Sequence, residues 1–159
     1  MIVLLHNIRS AHNVGSIFRT ADAVGIEKLY LGGITPAPLD KYKQPVAKIT
    51  KVSLGAEDNV DWESRKSIVE TMVNLKKQEY QLLAIEQAAG SVPYHQLQPS
   101  PAELAKIALI VGNEVDGLPA DITNKADKIL EIPMQGQKES LNVSVAFGIV
   151  AFALRDHQK

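Results

Sequence analysis

Asn13 and Arg19 lie in the stretch "HNVGSIFRTADAVG" (His12–Gly25), whose apolar residues recur at helical spacing. At 100° per residue Val14, Ile17, Phe18, Ala21 and Val24 share one face, and Arg19 points away from it. Two later turns carry further groups able to orient a ligand or stabilise charge: Glu114 in "VGNEVDGLP", and Ser140 and Asn142 in "IPMQGQKESLN". With the motifs of other chemistries absent, an enzyme built on these loops would have to work by positioning and electrostatics around a bound cofactor. Each of these groups also has a plainer reading. Arg19 could pair with Asp22 on the solvent face, Glu114 could sit at the positive end of a helix starting at Pro119, and Ser140 or Asn142 could cap the last helix.

Other chemistries find no support. The chain has no cysteine, which excludes disulfides, thiolate catalysis and thiolate metal sites. Its four histidines, His6, His12, His95 and His157, include no pair at helical ligand spacing, so no metal site is expected. Neither a G-x-G-x-x-G fingerprint nor a G-x-x-x-x-G-K-[ST] phosphate loop is present, and no G-x-S-x-G elbow supports a hydrolase.

The elements that must position these groups alternate along the chain. Strands are predicted at Ile2–His6, Lys28–Gly33, Tyr80–Glu86, Lys106–Glu114 and Lys128–Pro133. Helices are predicted at His12–Gly25, Tyr42–Ile49 (interrupted at Pro45), Ser64–Gln78 facing solvent, Pro119–Ala126 with proline first, and Asn142–His157, while "LGAEDNVDW" reads as loop. This order predicts an α/β fold, a mostly parallel sheet with helices on both faces. Ligands of such sheets bind beyond the carboxyl ends of the strands, where the glycine- and asparagine-rich loops lie. From Val143 to Leu154 apolar and small residues occupy every face, so the last helix is expected to be buried all round, inside the fold or against a second subunit.

At 159 residues, 45% of them hydrophobic, the chain is expected to form one domain. The opening "MIVLLHNIRS" lacks the basic region of a signal peptide, and the apolar run Leu141–Leu154 is shorter than the ~20 residues that span a bilayer, so a soluble cytoplasmic protein is expected. The net charge of −1 does not call for a polyanion, yet Lys41, Lys43, Lys48 and Lys51 crowd together with only Asp40 adjacent. They form either a solvated basic surface or a nucleic-acid footprint.

Three segments, "NVGSIFRTADAVG", "IVGNEVDGLP" and "IPMQGQKESLNVSVAFGI", resemble in order the three motifs of the SpoU/TrmH branch of the SPOUT methyltransferases. "KITKVSLGAEDNVDW" resembles the family's K-x-S-x-G-A-x-x-x-V-x-W segment, and the likeness runs from Leu5 to about Leu154. The resemblance implies a C-terminal trefoil knot, contrary to the general rule against knotted chains. It also implies a homodimer through the first and last helices, S-adenosylmethionine in the knotted crevice, and methyl transfer to a ribose 2′-hydroxyl of tRNA or rRNA. By position, Leu83, Ala84, Gly112, Ile132, Met134, Ser140 and Leu141 would form the cofactor pocket, and Asn13, Arg19, Glu114 and Asn142 would be the polar catalytic residues. Arg9 and His12 would grip phosphates, with Lys41, Lys43, Lys48 and Lys51 as a wider RNA surface.

A guanidinium keeps its proton, so Arg19 fits a stabiliser of the developing alkoxide better than a literal base, with an RNA phosphate as a candidate proton acceptor. Two rival readings are a catalytically silent RNA-binding or ribosome-assembly protein and a small-molecule methyltransferase, which would not need the lysines. Binding of S-adenosylmethionine separates the silent protein from either enzyme.

Overall fold

The apolar runs alternate between two cores, and this alternation dictates a sheet buried on both sides. In strand β1 (Ile2–His6) Val3 and Leu5 enter one core, while Ile2 and Leu4 enter the other. Leu83 and Ile85 oppose Leu82 and Ala84 in β4 (Gln81–Ile85), and Leu109 and Val111 oppose Ala108 and Ile110 in β6 (Ile107–Val111). A strand apolar on both sides belongs in the middle of a parallel sheet. The computed structural model describes residues 1–156 and forms that sheet, all parallel, in the order β3-β2-β1-β6-β4-β7-β5. Its other strands are β2 (Lys28–Gly32), β3 (Asp61–Arg65), β5 (Val92–Pro93) and β7 (Lys128–Glu131).

Helices cover both faces. The larger core takes α1 (Ala11–Val24), α2 (Ala47–Ser53), α3 (Ala56–Asn59), α5 (Pro101–Ala105) and α7 (Val143–Asp156). The smaller core takes α4 (Ile68–Lys77) and α6 (Ala120–Thr123). Ser10 caps α1 by accepting from Asn13 N at 3.2 Å, and Gly25 ends it in the left-handed region at φ 77°. Arg155 from the last turn of α7 donates to the carbonyls of Val24 and Gly25, each at 2.9 Å, which ties the two helices together.

Several predicted elements shift. The helix expected over Tyr42–Ile49 begins only at Ala47 and continues to Ser53, because Asp40 and Pro45 fold the preceding segment into a tight hairpin. "LGAEDNVDW" is not loop throughout: it contains α3 and enters β3. The helix expected from Ser64 starts after its cap at Ser67, since Ser64 and Arg65 belong to β3, and it buries Ile68, Met72 and Leu75 rather than facing solvent alone. Pro119 is the cap of α6, not its first residue. Within a single chain the last helix is not buried all round, for Val145 and Phe152 are 49% and 43% exposed, so of the two alternatives the fold alone does not cover it. His157, its expected final residue, lies outside the described residues. Among the described residues no helix is long and apolar enough to cross a membrane.

Candidate active site

The carboxyl ends of β1, β4, β6 and β7 open toward the start of α7. β6 ends at Val111, and the chain reverses through Asn113–Gly117, whose backbones bond to each other at 3.0 and 3.2 Å. Gly112 is required at this bend: a Cβ there would sit 2.6 Å from the Gly117 carbonyl carbon. Asn113, buried at 8% exposure, organises the turn. Its side-chain oxygen accepts from Val115 N and Asp116 N, and its amide donates to the Asn7 carbonyl at 2.9 Å, joining the turn to the end of β1. Sequence reasoning did not choose Asn113. Its signal is an asparagine at a strand end, four residues before a glycine in the left-handed region (Gly117, φ 66°).

That turn aims Glu114 at the first turn of α1, not at the Pro119 helix. Its carboxylate accepts from Arg9 N at 3.0 Å, Ser10 N at 3.1 Å and the Asn13 side-chain amide at 3.0 Å. Asn13 in turn accepts from the Asn142 amide at 3.1 Å, and the Asn142 oxygen accepts from Ser144 N at 2.9 Å, capping α7. Of the two expected caps, Asn142 fills the role. A backbone donor at one end and a carboxylate at the other fix both asparagine amides in one orientation. Burial pushes the Glu114 carboxyl up, but hydrogen bonds from the backbone of Arg9 and Glu114, the Asn13 side chain and Ser10 N outweigh it and hold the group below the usual carboxylate range.

Beside this relay lies a cavity lined by Gly112, Ile132, Met134, Ser140 and Leu141, five of the seven expected positions. Leu83 and Ala84 do not line it. They are fully buried in the middle of β4, and the cavity begins past the strand end, at Ile85, Glu86 and Gln87. Leu130, Val143 and Ala146 add apolar wall. Glu86, Glu114 and Glu139 reach the cavity, and neither lysine nor arginine does. Such a lining suits a cationic ligand with a flat apolar portion and disfavours a phosphorylated one. A neighbouring cleft shares Glu114, Val115, Ser140, Leu141 and Val143, and extends over Arg9, Ser10, Asn13 and Asn142.

Arg19 is exposed and lines neither cavity nor cleft. Six residues along α1 place it about 9 Å further down the axis than Asn13 and about 120° around it. The fold therefore does not join it to Asn13, Glu114 and Asn142 of the same chain. Its expected partner Asp22 is not paired with it either; among the described residues Arg19 makes no ion pair. His12 and the lysines 41, 43, 48 and 51 are exposed, whereas the Arg9 guanidinium is engaged by Asp116 at 3.0 Å.

Comparison with known proteins supplies the family. The model of the SpoU rRNA Methylase family matches residues 1–152. The chain is 32% identical over 150 residues to the 23S rRNA (guanosine-2'-O-)-methyltransferase RlmB of Neisseria meningitidis, covering 94% of this chain and 56% of that protein. It is 31% identical over 156 residues to the tRNA (guanosine(18)-2'-O)-methyltransferase of Aquifex aeolicus, covering 96% and 67%. The chain thus spans little more than half of the first relative and two thirds of the second. The AdoMet-bound rRNA methyltransferase of Sinorhizobium meliloti superposes with a TM-score of 0.83 at 28% identity, over 98% of this chain and 56% of that one. With its parallel sheet, its end-of-strand cavity and a family match along nearly its whole length, the chain belongs to the SpoU rRNA Methylase family.

Proposed function

We propose that the chain is one S-adenosylmethionine-dependent domain that methylates a ribose 2′-hydroxyl of tRNA or rRNA, acting as a cytoplasmic homodimer. The observation that carries this reading is the pairing of a cation-suited, partly apolar cavity with an open polar cleft at the same strand ends. When bound, the cofactor supplies a methyl carbon activated by a sulfonium. Ile132, Met134 and Leu141 would flank its adenine, Gly112 and Ser140 would offer close backbone approach, and the glutamates would balance its positive charge. The trefoil knot belongs to the same reading.

Within that arrangement the Glu114–Asn13–Asn142 relay holds the cleft in shape, so the ribose oxygen meets a preorganised surface. Arg19 of the partner subunit would stabilise the developing alkoxide, which accounts for its distance from its own chain's relay. The hydroxyl proton would pass to an RNA phosphate or to solvent. Incubation with labelled S-adenosylmethionine and total RNA, followed by ribose mapping, tests this. Label in 2′-O-methylated nucleotides is the expected result. Cofactor binding without transfer to RNA, but with transfer to small molecules, would turn the reading toward a small-molecule enzyme. Absence of cofactor binding would leave a silent RNA-binding protein.

A further inference from the structure

Between β2 and α2 the chain projects a feature that the site above does not use. Leu39 and Pro45 pair as an antiparallel bridge, closing a hairpin across Asp40–Gln44. Asp40 N donates to the Gln44 carbonyl at 2.9 Å, and one Asp40 carboxylate oxygen accepts from Tyr42 N at 2.8 Å and Gln44 N at 2.9 Å. Lys43 turns the tip in the left-handed region at φ 60°. The base is anchored: Pro38 is buried, its carbonyl accepts from Val46 N at 2.8 Å, and Ala37 and Val46 pack against the larger core. The hairpin is therefore a stiff projection, and at its tip Tyr42 is 70% exposed.

Along the chain Tyr42 is flanked by lysines on both sides. Lys41 Nζ lies 4.9 Å from its ring centroid, and Lys43, Lys48 and Lys51 are exposed without a carboxylate partner among the described residues. Asp40, the only acid beside the cluster in sequence, spends its carboxylate on the hairpin backbone. A purely solvating basic surface has no use for an exposed aromatic ring on a braced tip, whereas an unpaired nucleobase between phosphates needs both cations and a flat apolar face. The position is also suitable. Between the end of β2 and the hairpin lies Thr35, whose hydroxyl accepts from Ile8 N at 3.0 Å, and Ile8 immediately precedes the Arg9–Ser10 turn held by Glu114.

We propose that the Leu39–Pro45 hairpin is a base-stacking finger, in which Tyr42 stacks on an unpaired nucleobase of the RNA while the neighbouring lysines hold the flanking phosphates. The inference rests on the RNA reading above and adds to it a preference for a single-stranded or looped segment beside the target.

The full chain is titrated with an oligoadenylate and with a fully paired RNA duplex of equal length, at several salt concentrations. Tyr42→Ala should weaken oligoadenylate binding about 5- to 150-fold and leave duplex binding and the salt slope unchanged, with Tyr42→Phe within about twofold of the parent. Replacing all four lysines by alanine should weaken both probes and flatten the salt dependence. Oligoadenylate binding unaffected by Tyr42→Ala, an equal loss on both probes, or no binding of either probe by the parent chain would overturn the finger. Methyl transfer is scored separately on total RNA. Transfer by the parent together with a silent Tyr42→Ala removes the finger alone, and tyrosine-dependent binding without transfer removes the methyltransferase reading alone.

Discussion

Glu114 gathers donors that a neutral carboxyl could not all satisfy, and this makes its charge part of the architecture. Its folded-state pKa lies below the ordinary value, so its stabilising contribution is complete above the unfolded carboxylate pKa of about 4.3 and is lost as pH falls through the lower folded value. Glu114→Gln should cost about 1–2 kcal/mol near neutrality, modest because the group is largely solvent-exposed, and should remove that part of the acid dependence. Urea midpoints measured against pH check it; parallel curves for the two proteins would reject the assignment. Arg19 calls for a different measurement because it makes no ion pair among the described residues. Arg19→Ala should leave S-adenosylmethionine affinity within about twofold while single-turnover methyl transfer falls at least about 100-fold, the usual cost of losing one charge-stabilising donor. Unchanged transfer would remove Arg19 from the reaction.

The packing of α1 on α2 sets an element-scale expectation whose sign opposes simple propensity. In an open helix, glycine to alanine gains about 1 kcal/mol. At Gly15 the new Cβ would meet the Ile49 carbonyl oxygen at 2.7 Å and Val52 Cβ at 2.9 Å, and a helix backbone cannot swing aside. Gly15→Ala should therefore destabilise by about 1–3 kcal/mol, and a raised melting temperature would overturn the argument. The same packing shows what could be read without a structure. β1, α1, β2 and β6 were legible because each is a strongly periodic or wholly apolar run. β3 was not, since "DWESR" is an exposed edge strand whose pairing with β2 comes from across the fold. β5 and α5 are too short for periodicity to register. In the site, Glu114, Asn13 and Asn142 could be chosen from motif likeness, but their mutual bonding spans more than a hundred residues of chain and has no local signal. Leu83 and Ala84 stand apart for the converse reason: they are apolar strand residues near the cavity in sequence, yet its lining begins only at Ile85, where β4 ends.

For the molecule as a whole, the exposed side of α7 and the stranded Arg19 pose a single question. Val145 and Phe152 stand two turns apart on one side of α7, with Ile149 half-buried between them. Thr20 of α1, next in sequence to Arg19, borders that side, since a Cβ on Gly148 would sit 3.5 Å from Thr20 Cγ2. An apolar helix side and an arginine that makes no ion pair among the described residues fit a two-fold interface that buries the one and delivers the other to the opposite site. Phe152→Glu should then yield a monomer by sedimentation that no longer transfers methyl groups. A mixing experiment separates delivery across the interface from mere stabilisation. Arg19→Ala subunits and Glu114→Gln subunits, the latter expected to lose transfer with the loosened relay, are each first assayed alone and then unfolded and refolded together at equal amounts. If Arg19 serves the partner's relay, each mixed dimer holds one site with both residues intact, and statistical mixing restores about one quarter of parent activity. If Arg19 serves its own chain, every site in the mixture lacks one residue or the other, and no activity returns.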